Sequence, residues 1–88
     1  MTRGQLEAIF ENTDSKWEGD NAWQGLSILA KYIDPMETGL IQGADHDVIW
    51  SVDVDKVLEA GLNQQDAKEL ALLNWHIDED GDNFSCFV

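Results

Sequence analysis

The residues best equipped for chemistry crowd toward one end of the sequence. Asp78-Glu79-Asp80-Gly81-Asp82-Asn83 sets three aspartates at alternate positions. That is how an EF-hand loop opens, because a hard cation such as calcium needs several convergent oxygens. The pattern then breaks. Asn83 stands where the sharp-turn glycine belongs, and the following residues are strand-like and supply no bidentate glutamate. An acidic hairpin turn, which Asp-Gly favours, is the expected structure. Weak cation binding is the most such a turn supports.

Three other places in the sequence invite a metal or acid–base reading. Asp45-His46-Asp47, His76 and Cys86 together offer nitrogen, oxygen and sulfur donors. Their spacing matches no ligand pattern. A His–carboxylate pair can also move protons, but a hydrolase needs a nucleophile, an oxyanion stabiliser and a pocket. No Gly-rich phosphate loop, Gly-x-Ser-x-Gly or Cys–His–Asn set is present. Cys86 alternates with Phe84 and Val88, the spacing of a core strand, which predicts an inert buried thiol. The expectation is a non-enzymatic protein with no catalytic residue, no metal and no cofactor.

Charge is the stronger signal. Eighteen acidic residues face five basic ones over 88 positions, a formal net charge of −13. Such a surface repels nucleic acid and anionic lipid and attracts basic proteins. The cations Arg3, Lys16, Lys31, Lys56 and Lys68 are scattered and form no patch for nucleic acid. The acids cluster at Glu7 to Asp20, at Asp45, Asp47, Asp53 and Asp55, and at Asp78, Glu79, Asp80 and Asp82. Two clusters on one face would imitate rows of phosphates. The competing explanation is that the charge serves solubility alone.

The elements that must position these residues follow from periodicity. Leu6, Ile9 and Phe10 form a first helical stripe, N-capped by Thr2 and ending near Asn12. Trp17 lies in the polar loop that follows, either tucked over the core edge or exposed as a binding anchor. Asp20 or Asn21 opens a second helix, whose inner stripe reads as Trp23, Leu26, Leu29, Ala30 and Ile33. Asp34-Pro35 stops it. Leu40-Ile41 is a candidate short extended stretch. Residues 47–52 form the first clear strand, with Val48, Trp50 and Val52 on one face. Asp53 and Asn63 N-cap two further helices, Gly61 and Asn74 end them, and Trp75–Ile77 and Phe84–Val88 close the chain as a hairpin. The result is a single α+β domain over residues 1–88, with a small three-stranded, mainly antiparallel sheet covered by helices in the order α-α-β-α-α-β-β.

The stretch Leu70-Ala71-Leu72-Leu73-Asn74-Trp75-His76-Ile77-Asp78-Glu79, ending in Phe84-Ser85-Cys86-Phe87-Val88, resembles the C-terminal cassette of small acidic phage and prophage proteins. Those run from a helix through a Gly-Trp junction and an acidic turn to an aromatic strand. Here Asn74 replaces the glycine. Proteins of this type include anti-CRISPR and anti-restriction inhibitors, some of which mimic DNA. The resemblance covers roughly the C-terminal half and carries over no named binding residue.

Together these readings give an acidic inhibitor or interaction protein of phage or mobile-element type. Its partner would be a basic nucleic-acid-binding protein or a nuclease, with no direct nucleic acid and no membrane involved. The partner-binding residues are Asp45, Asp47, Asp53, Asp55, Asp78, Glu79, Asp80 and Asp82, with Trp17 as anchor. The alternatives are an immunity or antitoxin protein for a basic toxin, and a small metal-binding protein. One cysteine and no basic-then-apolar leader point to the cytoplasm.

Overall fold

The computed structural model describes residues 1–15, 20–78, 80 and 82–87. Among them the chain forms α1 (Arg3–Asn12), α2 (Asn21–Leu29), β1 (Gly43–Asp45), β2 (Val48–Asp53), α3 (Val54–Glu59), α4 (Gln64–Leu72), β3 (Trp75–Asp78) and β4 (Asn83–Phe87). The class is α+β, as the sequence predicts, but the sheet has four strands. Their order is β1-β2-β4-β3, and every pairing is antiparallel.

The extra strand is β1. Gly43-Ala44-Asp45 has weak β propensity and an exposed burial pattern. It is a strand because it folds back on β2 through a two-residue turn at His46 and Asp47, with Asp45 opposite Val48. Asp47 therefore lies in a turn, not in the strand where its alternation with Ile49 suggests. The extended stretch begins after Leu40-Ile41, with the Gln42 amide donating to the Trp50 carbonyl at 2.9 Å.

A β-bulge divides β2. Trp50 pairs with Ser85 and Asp53 with Asn83, so β2 carries one residue more than β4 between those points. Strict alternation across Val48, Trp50 and Val52 fails there. Val48 and Trp50 lie opposite Phe87 and Ser85 on the open face, whereas Val52 is buried in the core. The Asn83 side-chain amide donates to the Ser51 carbonyl at 2.7 Å, giving the bulged backbone a partner.

The other face of the sheet holds Trp75, Ile77, Phe84 and Cys86. It is covered by α1, α2 and α4. Phe10 of α1 lies 6.2 Å from Phe84 between ring centroids. Leu6, Leu29, Val57, Ala67 and Leu70 are fully buried around them. Three helices keep the expected boundaries, but α2 ends at Leu29 and not at Asp34-Pro35, because the Lys31 and Tyr32 amides bond three residues back, to the Ile28 and Leu29 carbonyls, and tighten the chain into a turn. Thr2 and Gln5 form a reciprocal capping box, and the Asp53 and Asn63 side chains cap α3 and α4. Gly61 and Asn74 take positive φ values of 99° and 65°, the left-handed geometry that ends a helix.

The facing of α2 agrees with the sequence expectation at Leu29, which is fully buried, and at Leu26 and Ile33, which pack against the core, but departs from it elsewhere. Its buried residues are Asn21, Gly25 and Leu29, spaced i, i+4, i+8. A Cβ on Gly25 would lie 1.9 Å from Trp75 Nε1, so the indole occupies the space a side chain would need. The same Nε1–H donates to the Asn21 carbonyl at 3.0 Å. Trp23, predicted to face inward, is 70% exposed. The physical reason is fit: only the glycine side of α2 lets Trp75 be buried flat against the helix.

Candidate functional site

The acidic turn is held by its own backbone. Asp78 Oδ1 accepts from the Asp80 amide at 3.0 Å, and the Asp82 amide donates to the Asp78 carbonyl at 2.8 Å. Asp82 has φ of 57°. The Val54 amide then donates to the Asp82 carbonyl at 2.9 Å, which fastens the turn to the start of α3. This contact unites two of the predicted clusters. Asp53 and Asp55 stand beside Asp78, Asp80 and Asp82 at one end of the sheet. Glu79 lies outside the described residues.

Arg3 is drawn into this acidic end. Its guanidinium reaches Asp82 at 2.8 Å, Glu7 at 3.4 Å and Asp55 at 3.7 Å. The hydrogen bond to Asp82 is the main reason that the arginine holds its proton even more firmly than usual. The acids are all partly exposed, so each pair contributes little stability. The consequence is for the surface: a cation is spent inside a carboxylate cluster. Asp53 is also committed, accepting from the Lys56 amide at 3.2 Å as the α3 cap.

Asp45 and Asp47 are elsewhere. Asp45 ends β1 and Asp47 lies in the β1–β2 turn, at the opposite end of β2 from Asp53. At the rise of a strand, six residues separate these ends by about 17 Å. The predicted acids thus form two groups, one at each end of the sheet. Trp17, the predicted anchor, lies outside the described residues.

Between the two ends lies the open sheet face, which the sequence reading passed over. Val48 and Trp50 of β2, Phe87 of β4 and His76 of β3 share it by register. The His76 and Phe87 rings meet edge-on at 5.3 Å, and Phe87 is 50% exposed. Desolvation by the surrounding protein lowers the His76 pKa below its ordinary value. Ser85, paired with Trp50 on one side and His76 on the other, is buried beneath this layer. A register that placed Trp50 opposite Ser85 was not readable without the bulge.

The candidate metal donors are not brought together. His46 sits in the β1–β2 turn, His76 projects from the open face, and Cys86 pairs with Trp75 on the helix-covered face. Among the described residues no group of three or more His, Cys, Asp and Glu is placed to hold a metal ion. The Cys86 thiol is fully buried, and that burial pushes its pKa up to about 11. A thiol so protonated is a poor nucleophile.

Two features next to α2 were also missed. The first is a polar clasp. Asp66 on α4 is nearly buried and accepts from the Tyr32 hydroxyl and from Lys31 Nζ at 3.2 Å. The Tyr32 oxygen in turn accepts from the Asn63 amide at 3.4 Å, serving the donor that a reciprocal capping box would have satisfied from Asp66. Burial, with the Asp66 bond second, raises the Tyr32 pKa. The second is a groove of about 460 Å³ lined by Trp23, Leu26, Ser27, Ala30, Pro35, Leu40 and Ile41. The apolar character of Trp23 and Leu26 was legible; the outward direction of Trp23 was not.

No family model matches this chain, and no curated protein or solved structure matches it either. No helix among the described residues is long and apolar enough to cross a membrane.

Proposed function

We propose that this protein is a non-enzymatic inhibitor or interaction module that binds a basic surface on a nucleic-acid-handling protein. One observation carries the reading. The open sheet face, bearing Trp50, Phe87, Val48 and His76, is bounded by Asp45 and Asp47 at one end and by Asp53, Asp55, Asp78, Asp80 and Asp82 at the other. An apolar centre with a charged rim is the arrangement of a protein interface. The carboxylates would take the place of nucleic-acid phosphates on the partner's lysines and arginines, and would speed encounter by long-range attraction. Relationship to small phage inhibitors of the anti-CRISPR or anti-restriction type, including DNA mimicry, belongs to this proposal and agrees with the charge of −13.

The test is affinity capture from host extract at low and at physiological salt. A basic nucleic-acid-handling protein should be retained, and retention should fall as salt rises. Neutralising Asp45 and Asp47 to Asn, or separately Asp78 and Asp80 to Asn, should each slow association several-fold. Recovery of no such protein at either salt would overturn the reading, as would capture indifferent to both pairs of substitutions.

A further inference from the structure

Among the described residues, the groove beside α2 gathers the largest apolar exposure. Trp23 is 70% exposed and Ile41 54%, and both line it. Met36, 91% exposed, follows directly on the lining residue Pro35. Scattered single apolar residues are ordinary on a protein surface, but a patch of this kind marks a site of association. We propose that this groove docks an amphipathic helix of a protein partner, one whose apolar stripe is flanked by lysine or arginine.

Three observations select that occupant. The first is polarity. Among the described residues of the lining Ser27 supplies the only hydroxyl, and it already donates to the Trp23 carbonyl at 2.9 Å. A small ligand needs several convergent polar groups to orient it, and beyond Ser27 the described lining residues carry one side-chain donor, the Trp23 indole N–H. The second is spacing. Trp23, Leu26, Ser27 and Ala30 recur at i, i+3, i+4, i+7 along α2 for about 10 Å, the row into which side chains of a facing helix interdigitate. The third is charge. Asp20 caps α2 one turn before Trp23, and Asp34 and Glu37 flank Pro35 and Met36; all three are exposed. A second copy would set these acids against its own, in a chain of net charge −13. Basic flanks on a different protein are complementary to them. The partner's charge rests on the function proposed above, whereas the groove, the Trp23 anchor and the helical footprint do not.

The probe is a synthetic peptide with leucines at i, i+3, i+4 and i+7 and lysines on both flanks, titrated into the full chain and followed by amide and indole NMR. Shifts should centre on the Trp23 indole and on Ser27, Ala30, Leu40 and Ile41. Trp23→Ala, confirmed folded by circular dichroism, should weaken binding at least about tenfold, as loss of a central aromatic anchor does. Glu69→Gln, on the exposed side of α4, should change it less than about twofold. A peptide with a central proline, and one with alanine for each leucine, should lose most of the affinity.

Unchanged binding by Trp23→Ala overturns the proposal. So does an alanine peptide that binds as well as the leucine peptide, since charge alone would then suffice. Shifts centred on Trp50 and Phe87 overturn it in favour of the sheet face. A concentration-dependent dimer abolished by Trp23→Ala overturns it in favour of a second copy. Failure of the peptide experiment leaves the salt-dependent capture and the Asp→Asn pairs untouched, so the two readings fail separately.

Discussion

The two sides of α2 carry opposite compositions and opposite fates. The inner side presents Asn21 and Gly25, with Leu29 a turn further on, and is fully buried against Trp75. The outer side presents Trp23 and Ala30, with Leu26 between the groove and the core, and lines an open groove. By hydropathy the second side should face the core. What reverses it is the shape of Trp75, a 2% exposed indole whose N–H needs an acceptor and whose ring needs a flat wall. A glycine one turn after a backbone carbonyl supplies both. Apolarity decides that a residue can be buried; steric match decides which residue is.

The sharpest way to break this comparison is to add one carbon on the inner side. Gly25→Ala improves helix propensity by about 1 kcal/mol, yet its Cβ would fall 1.9 Å from Trp75 Nε1 and 2.2 Å from Cε2. Overpacking of this kind should destabilise the fold by about 3 kcal/mol, seen as a lower denaturant midpoint. A stable Gly25→Ala variant would mean that Trp75 can be accommodated elsewhere. Trp75→Phe probes the same wall from the sheet side. It removes the donor to the Asn21 carbonyl and leaves a small void. A loss of about 2 kcal/mol in urea unfolding is expected. The smallest effect should come from the outer side. Trp23→Ala removes the larger side chain from the same helix, and its stability cost should be about 0.5 kcal/mol or less by the same measurement. A cost equal to that of Trp75→Phe would show that Trp23 belongs to the core after all.

Much of the fold was legible because it rests on local chemistry. Thr2, Asp53 and Asn63 are N-caps, Gly61 and Asn74 are left-handed stops, and Trp75, Phe84 and Cys86 are inward strand residues, each readable from neighbours within four positions. Strand β1 escaped because Gly43-Ala44-Asp45 has no strand signal of its own and exists only through pairing. The grouping of Val52 with Val48 and Trp50 failed because one bulged residue turns a strand's alternation over, and a bulge is a property of the pair, not of either strand.

The candidate site divides in the same way. The carboxylate clusters were visible as composition, but their grouping was not. The Val54 amide bond to the Asp82 carbonyl joins residues far apart in sequence, and it brings Asp55 and Asp82 around one Arg3. Asp45 and Asp47 are close to Asp53 in sequence, yet β2 extends between them and carries them to the other end of the sheet. Sequence proximity and spatial proximity therefore ran in opposite directions for these acids.

By itself the sequence determined a strongly acidic α+β chain, the helix boundaries set by Thr2, Asp53, Gly61, Asn63 and Asn74, its closing hairpin and a buried thiol, because each depends on charge count or on contacts within a turn or two. Only the tertiary structure decided the fourth strand, the face that Trp50 occupies, the outward turn of Trp23 and the division of the acids between two ends. Those depend on which surfaces fit one another across the sheet and the helix layer, and shape complementarity between distant segments has no local signature.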